Sequence, residues 1–563
     1  MREHIAHFCL HKCLRLVSLR QADDFRPGRI YVKQYQVSGI ADSQNTLPLF
    51  HITMGNSVVS HLVPTSFTGI ILAIPLLFIG YTVATWLYNI CLHPLRKFPG
   101  PIFCAASPIP YLIHMQRGDV MFWMIEQHQK YGECVRFTPG ELSFTGADAY
   151  KDIYAHRKAG RPTLEKDLRF YLPPGNPTRD IVNSDAENHA RMRRIFANAF
   201  SDRSLKLQEP LFLTYIDKLV QNLRESCLAD PDRKYNMVNM YNLTTFDIMG
   251  DLSFGEPLGM LDNSDYHPWV SALLAGFRFG AYMHTMRYFW SGFETMLLKY
   301  CVPDKLKEQM RLHEQFSHER VDRRLEKEDA RPDIWGLVLQ KDEKTGMTKE
   351  EMYANANLFM IGGTETTATT LSGLTWHLLQ NPDKLQRLVD EIRSSFGSEE
   401  DITIEKLQAL PYLHACLEEG LRMYPAVAQP LPRVTPPGPP TEIDGREVPA
   451  GQTVYVANLC AFRNPNNFVD PFKFAPERWL LNSPESAPYK DDKKHAFHPF
   501  SLGPRACLGK NMAYHELRLI LTKVLHNFDI SLNDDSIDWL PRQKIWIMWD
   551  KGDLNCKLTP VKR

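Results

Sequence analysis

The sequence has 563 residues, of which 44% are hydrophobic and 23% are charged, as is typical of globular proteins. It carries 65 Lys and Arg against 65 Asp and Glu. The net charge is therefore zero, and nothing in it indicates nucleic acid or an acidic ligand as a partner. The 11 cysteines show neither a repeating paired spacing nor a C-x-x-C zinc pattern, which favours a reducing compartment over a disulfide scaffold.

The first segments of the chain predict a membrane anchor. Residues 1–60 form a polar leader without clear periodicity, whereas 67–90 are apolar and uncharged, long enough to span a bilayer as one transmembrane helix. Basic residues lie directly after this span and are absent from the stretch directly before it. The positive-inside rule therefore places the following domain in the cytosol. A signal peptide and a buried core helix are the weaker alternatives. Either Met1 or Met54 is the true start; a peptide from residues 1–50 in the native protein would refute the hypothesis of a start at Met54.

A proline-rich segment, 93–105, follows the apolar span and contains Pro94, Pro99 and Pro101. Prolines break helices and stiffen the backbone, so this segment is predicted to act as a hinge before a domain that occupies 106–563. That domain begins with two strand signals, at 134–138 and 141–144, separated by a Pro-Gly turn. Long amphipathic helical stretches follow, with more strands near 442–456. The prediction is a mainly α fold with a minor β-sheet.

Two helices carry polar residues in unusual positions. His189 and Arg193 are four residues apart, so they share one face of a predicted helix; the simplest alternative is a solvated basic face. The second helix contains Gly362-Gly363-Thr364-Glu365-Thr366 within an apolar stretch, although glycine and threonine are poor residues for a helix interior. Such conflicts often mark functional sites, and a helix that bulges there would open a groove. A kink without function is the alternative.

The most informative pattern, F-x-x-G-x-R-x-C-x-G, comes from Phe500, Gly503, Arg505, Cys507 and Gly509. By chance it would occur in about one in ten thousand sequences of this length. If the cysteine is a haem thiolate, each position has a role: the glycines allow close approach, the arginine pairs with a haem propionate, and the phenylalanine shields the sulfur. A buried structural cysteine is the alternative.

This loop resembles the cysteine-ligand loop of the cytochrome P450 family, the haem-thiolate monooxygenases. Other segments match the family in the same chain order, across about residues 93–550. The resemblance implies the cytochrome P450 fold after one transmembrane helix, with haem b bound through iron to Cys507. It also implies that His189, Arg193, Arg433 and Arg505 contact the haem propionates, although tryptophan is usual in the family where this chain has His189.

The resemblance gives further roles to the interior of the chain. The Gly-Gly-Thr-Glu-Thr segment matches the oxygen-activation motif, in which Thr366 would hold a water or dioxygen and Glu365 would relay protons. Glu419, Arg422 and Arg478 match a buried ion triad, which is structural rather than catalytic. The sequences of the hinge and of residues 474–479 look most similar to those of filamentous-fungal microsomal members. Several of these members act in secondary metabolism.

These motifs predict a monooxygenase that inserts one oxygen atom of O2 into a small apolar molecule. The chain has no flavin domain and no G-x-G-x-x-G fingerprint, so electrons from NADPH are expected through a separate NADPH–cytochrome P450 reductase at the endoplasmic reticulum membrane. Aromatic and methionine residues in 277–293 fit an apolar substrate but equally fit core packing or membrane contact. The alternatives are a haem-thiolate isomerase or dehydratase that does not use O2, and a non-catalytic haem-binding sensor.

Overall fold

The computed structural model describes most of the chain after residue 66. The described residues are 67–156, 163–171, 178–263, 278–288, 296, 300, 302, 304–327, 331, 333–339, 346–481 and 483–562. The predicted leader 1–60 lies outside them. The chain forms two units, Met1–Ala84 and Thr85–Arg563, and all the predicted site residues belong to the second.

Helices make up most of the described structure. The labelled helices are α1 (Phe67–Cys91), α2 (Ile102–Ala106), α3 (Ile109–Arg117), α4 (Val120–Tyr131), α5 (Ala149–Tyr154), α6 (Leu168–Tyr171), α7 (Ala186–Phe196), α8 (Asp202–Ala229), α9 (Met237–Phe254), α10 (Met260–Asn263), α11 (Asp304–Glu326), α12 (Ile334–Leu339), α13 (Lys349–Leu379), α14 (Pro382–Ser395), α15 (Ile404–Leu407), α16 (Pro411–Met423), α17 (Asn458–Phe462) and α18 (Lys510–Asn527). Residues 278–288 are also helical.

The strands are short. They are β1 (Cys134–Thr138), β2 (Glu141–Phe144), β3 (Glu165–Lys166), β4 (Tyr235–Asn236), β5 (Arg433–Val434), β6 (Thr441–Ile443), β7 (Arg446–Val448), β8 (Thr453–Val456), β9 (Phe528–Leu532), β10 (Lys544–Ile545), β11 (Trp549–Asp550) and β12 (Asn555–Pro560). The largest sheet has the order β1-β2-β8-β5-β3, and smaller sheets are β4-β12-β9, β6-β7 and β10-β11. The prediction of a mainly α fold with a minor sheet is confirmed.

Helix α13 is the central element of the second unit. It packs against α9, α11, α16 and α18, and most side chains in its second half are buried. Helix α9 is buried along almost its whole length, because it lies between α13 and α8. At their crossing a Cβ on Gly363 would lie 2.6 Å from Met249 Sδ, so the glycine permits close approach of the two helices.

The apolar span is a single helix, α1, which continues through Pro75. It is long and apolar enough to cross a membrane over Ala73–Cys91. Its side chains between Ile74 and Ile79 are largely exposed, as expected for a helix whose apolar surface needs lipid rather than a protein core.

The proline-rich segment contains one short helical turn. Pro94–Lys97 forms a turn of 3-10 helix and Pro101 precedes α2. Between them, the Pro99 carbonyl accepts a 2.8 Å hydrogen bond from the Arg136 amide of β1. A Cβ on Gly100 would lie 2.5 Å from the Arg136 carbonyl. The segment is therefore held against the edge of the sheet, and its glycine allows that contact.

Candidate active site

The cysteine loop is a tight backbone turn that precedes α18. The Cys507 amide donates a 2.8 Å hydrogen bond to the Phe500 carbonyl, which closes the loop. Ser501 and Gly503 both have positive φ, 60° and 77°. A Cβ on Gly503 would lie 2.1 Å from the Tyr154 carbonyl oxygen, so this glycine is required both for the turn and for contact with α5.

Cys507 lies at the end of this turn with accessible surface on its side chain. Burial nevertheless raises the pKa of its thiol, while the Gly509 amide and the charges of Arg193 and Lys510 act in the opposite direction. The two observations are compatible where protein surrounds a residue while part of its surface stays accessible. A thiolate ligand to a metal would occupy such a position.

Gly509 and Phe500 flank the cysteine differently. Gly509 is the N-cap of α18, and a Cβ built on it would meet no atom within 4 Å. Space therefore remains open beside the backbone here. Phe500 packs its ring at 5.2 Å from that of Tyr514 on α18, which fixes one wall of the loop. Close approach at Gly509 and shielding by Phe500 stay predictions.

Two arginines predicted to contact haem brace the same loop. Arg193 of α7 donates to the Ala506 carbonyl at 2.7 Å, which ties α7 to the residue before the cysteine. Arg505 donates to the Ser184 carbonyl at 2.9 Å. The predicted helix around His189 is α7, and Asp185 caps it by accepting a hydrogen bond from the Asn188 amide at 2.9 Å.

A cluster of basic residues, some buried and some half-buried, surrounds this loop. Burial and the charges of Arg505 and Lys166 lower the pKa of His189 to about 3. Burial and the charges of Arg505 and Arg433 lower the pKa of Lys166 to about 6, although Asp180 acts to raise it. Arg505 likewise has a lowered pKa, first from burial and then from Arg433. Positive charge therefore outweighs negative charge in this region, which suits a ligand with carboxylates.

The sequence analysis missed Lys166 as part of this cluster. Lys166 is the register partner of Arg433 where β3 pairs with β5. Its ammonium donates to the Val182 carbonyl and lies 4.5 Å from the Tyr171 ring centroid. Because β3 has only two residues, no local pattern marked this lysine, and only the sheet pairing brings it beside Arg433.

Helix α13 places the threonine-rich motif in the centre of the unit. A capping box at Thr348 and Glu351 begins the helix, and its helical structure continues through both glycines. The prediction of a bulge at Gly362 and Gly363 is therefore wrong, because both residues are α-helical. Instead, the Thr366 hydroxyl donates to the Gly362 carbonyl at 2.7 Å, and Gly362 has an exposed backbone with open space beside it.

Glu365 has partners that the sequence did not predict. Its carboxylate forms a buried ion pair with Lys551, and both side chains are almost completely buried, with 3% and 4% exposed. Thr369 donates to Glu365 Oε1 at 3.2 Å, and Lys551 Nζ donates to Thr369 Oγ1 at 2.6 Å. Lys551 is 186 residues away in sequence, so no motif could reveal the pair.

The predicted ion triad is present and is larger than expected. Arg422 donates twice to Glu419, at 2.8 Å for each bond, and Arg478 Nε donates to the same carboxylate at 3.1 Å. Trp479 Nε1 and the Ala475 amide also donate to Glu419, at 2.9 and 2.8 Å.

These donors set the charge of the Glu419 carboxyl. Burial alone would raise its pKa, but Arg422 and Arg478 hold the pKa below its ordinary value. Asp492 completes the cluster by pairing with Arg478. All of these charged side chains are fully buried, so the cluster is an internal brace and not a solvent-facing site.

A second buried carboxyl lies beside the oxygen-activation motif. Burial raises the pKa of Glu516 on α18 to about 8, and only the nearby Thr367 of α13 acts in the opposite direction. Glu516 is therefore neutral near pH 7. The sequence analysis did not single it out because a lone glutamate in an amphipathic helix carries no signal.

Comparison with known proteins agrees with this arrangement. The family model described as Cytochrome P450 matches residues 105–553. The cytochrome P450 monooxygenase FUM2 of Gibberella moniliformis is 45% identical over 484 residues, which cover 85% of this chain and 100% of the relative. The cytochrome P450 monooxygenase efuB of Hormonema carpetanum is 42% identical over 489 residues, 86% of this chain and 95% of the relative. The cytochrome P450 monooxygenase aclL of Aspergillus oryzae is 40% identical over 485 residues, 86% and 96%.

Proposed function

The chain belongs to the cytochrome P450 family, and we propose that it oxidises an apolar small molecule of fungal secondary metabolism with electrons from NADPH. Membership makes the chain a monooxygenase and confirms the resemblance predicted from its motifs. The proposed reaction converts substrate RH, O2, NADPH and a proton to ROH, water and NADP+. The observation that carries the proposal is the placement of Cys507 in a loop braced by Arg193 and Arg505, beside a cluster of further basic residues.

The residues around the loop fit haem b, which the family implies. Cys507 would supply a thiolate ligand to the iron, and His189, Arg193, Arg433 and Arg505 would meet the two propionates, joined by Lys166. Burial first, and then nearby positive charge, lowers the pKa of His189 and of Lys166, and two carboxylates would offset that charge. When bound, haem with a thiolate ligand supplies the activation of O2. The protein's part is to orient the substrate and deliver protons.

Thr366 and Glu365 are the proposed proton-handling residues. The Thr366 hydroxyl is fixed by the Gly362 carbonyl, so its oxygen stays available to accept a hydrogen bond from a water in the pocket. Glu365 is one residue away on α13 and is the nearest carboxyl in the motif. Proton transfer by positioned groups commonly contributes about 10²–10⁴-fold to rate.

The electron donor is proposed to be a separate flavin reductase at the endoplasmic reticulum membrane. Helix α1 has the length and composition of an anchor, and Arg96 and Lys97 follow it, as expected for a cytosolic side. On α7, Arg191 pairs with Glu351, whereas Arg194 is exposed. Arg194 is therefore the better candidate of the two for an acidic partner.

The ligand assignment is tested by Cys507→Ser. We expect the reduced carbon-monoxide complex of the wild type to show a thiolate-type Soret band and the variant to lose it. Cys91→Ser, at an exposed position, is the control and should keep the band. A thiolate-type band in Cys507→Ser would overturn the assignment.

The proton assignment is tested by Thr366→Ala in the full chain with added reductase. We expect more hydrogen peroxide per NADPH than in the wild type, because the hydroxyl that holds water in the pocket is lost. Thr370→Ala removes a similar bond, from Thr370 to the Thr366 carbonyl at 3.0 Å, and should change the peroxide yield much less. Equal yields in both variants would contradict the role of Thr366.

The two rival functions are separated from this proposal by NADPH oxidation. An isomerase or dehydratase that does not use O2, and a haem-binding sensor, would share the carbon-monoxide spectrum. Neither would consume NADPH and O2 when the reductase is added, whereas a monooxygenase does. The substrate itself is tested by comparing the metabolites of a deletion strain with those of its parent; an accumulated apolar precursor is expected.

A further inference from the structure

The carboxylate of the oxygen-activation motif is engaged by a distant part of the chain. Glu365 pairs with Lys551 and accepts a hydrogen bond from Thr369. Glu365 and Thr369 are four residues apart and share a face of α13. Thr366 is bonded to the Gly362 carbonyl instead. A proton relay through Glu365 therefore has to operate from a carboxylate that Lys551 already holds.

The backbone at Lys551 is fixed on α13 and α16. Lys551 directly follows β11, in which Trp549 stacks on Tyr424 with ring centroids 4.0 Å apart. Trp549 Nε1 donates to the Pro425 carbonyl at 2.8 Å. A Cβ on Gly373 of α13 would lie 2.2 Å from the Tyr424 ring, so this ring presses directly on the helix backbone. These contacts fix the backbone from which the Lys551 ammonium reaches Glu365.

Strands β10 and β11 form a hairpin, residues 544–551. This hairpin also contacts the helix at 278–288. The Arg278 guanidinium lies 4.2 Å from the Trp546 ring centroid and 3.2 Å from Asp550. A Cβ on Gly280 would lie 2.5 Å from the end of the Ile547 side chain. This helix belongs to the aromatic and methionine-rich stretch that fits an apolar substrate and equally fits core packing or membrane contact. The hairpin residues 544–551 therefore touch both that helix and Glu365.

We propose that Lys551 is a positioning residue that holds Glu365 for proton delivery, with hairpin 544–551 linking it to the helix at 278–288. The inference rests on the proposed monooxygenase function. A buried carboxylate that loses its cation becomes an uncompensated charge or takes up a proton. Either change would remove the ion pair that holds Glu365 in place. Thr369 keeps Glu365 and Lys551 in register because its hydroxyl accepts from the lysine and donates to the carboxylate.

The test needs no known substrate. In the full chain with reductase and NADPH but no substrate, reduction of O2 to hydrogen peroxide takes two electrons and two protons, or one NADPH per O2. Reduction to two waters takes four of each, or two NADPH per O2. The measured ratio of NADPH to O2 consumed therefore reports how well protons are delivered to dioxygen before peroxide escapes.

We expect Lys551→Met to lower this ratio towards 1 and to raise the peroxide yield several-fold. Lys551→Arg keeps the positive charge and should restore most of the wild-type ratio, which a general packing defect would not allow. Lys557→Met is the matched control, because Lys557 pairs with Asp232 at the surface, and should leave the ratio unchanged. Glu365→Gln combined with Lys551→Met should be no worse than Glu365→Gln alone.

If Lys551→Met fails to fold, Thr369→Val decides the matter, since it removes the bridging hydroxyl at equal volume and should lower the ratio in the same direction. A wild-type ratio in folded Lys551→Met, or in Thr369→Val when Lys551→Met does not fold, would overturn the inference. Failure of the proposed function looks different: the wild type itself would show no thiolate-type carbon-monoxide band and no NADPH-dependent O2 consumption.

Discussion

The buried cluster around Glu419 offers a sharp test of what stabilises the fold. Glu419→Gln keeps the shape of the side chain but removes the charge that balances Arg422 and Arg478, both fully buried. Removing one partner of a buried pair costs about 3–5 kcal/mol, because the other charge stays buried. The cluster also connects α16 to the turn at Pro476–Trp479, so the loss should affect the whole second unit.

The expected shift in melting temperature follows from the size of the unit. The family match covers residues 105–553; at about 2.1 cal/mol/K per residue, its unfolding entropy is about 0.9 kcal/mol/K. A loss of about 3–5 kcal/mol therefore lowers the melting temperature by about 3–5 °C. The assay is thermal unfolding of the haem-loaded protein, followed by circular dichroism or by loss of the Soret band.

A matched control is the surface pair of Arg387 and Glu485, whose side chains are 42% and 47% exposed. Glu485→Gln should cost less than about 1 kcal/mol, since exposed pairs are screened by water. A melting temperature for Glu419→Gln within about 1 °C of that control would refute the reasoning. It would mean that Arg422 is satisfied by its bonds to the Phe462, Pro471 and Lys473 carbonyls.

Three further predictions concern the loop and its surroundings. Glu516 has a folded-state pKa near 8 against an ordinary 4.5, so between these values the folded state holds a proton that the unfolded state has lost, and stability falls as pH rises. Glu516→Gln should remove this slope, so that from pH 5 to pH 8 the melting temperature of the wild type falls relative to the variant. Lys166→Met should speed haem loss to apomyoglobin by about tenfold, as expected for losing a charged hydrogen bond to a propionate; an unchanged rate would exclude that contact. Gly503→Ala should destabilise the loop and lower haem content, because its Cβ would meet the Tyr154 carbonyl. Gly451→Ala has a similar φ of 73° in open space, so an equal effect in both would contradict a role for the clash.

The sequence determined the residues whose roles depend on local spacing. The pattern from Phe500 to Gly509 specified the tight loop, because its glycines and the cysteine act within one turn of backbone. His189 and Arg193 were correctly placed on one helix, and Glu419 with Arg422 on another, since i, i+3 and i, i+4 neighbours follow from helix geometry. The strands at 134–138 and 141–144 were likewise predictable from their alternation and the turn between them.

The tertiary structure alone decided which distant charges meet. Lys166 reaches Arg433 because β3 pairs with β5, and Lys551 reaches Glu365 because its hairpin stacks on Tyr424. Asp492 likewise forms an ion pair with Arg478 only in the folded structure. Long-range contacts leave no periodic trace in the sequence, because burial selects a partner for each charge only after the helices and strands have packed. The chemistry of the cysteine loop could therefore be predicted from the sequence. The pairing of Glu365, the proposed proton relay, with Lys551 could not.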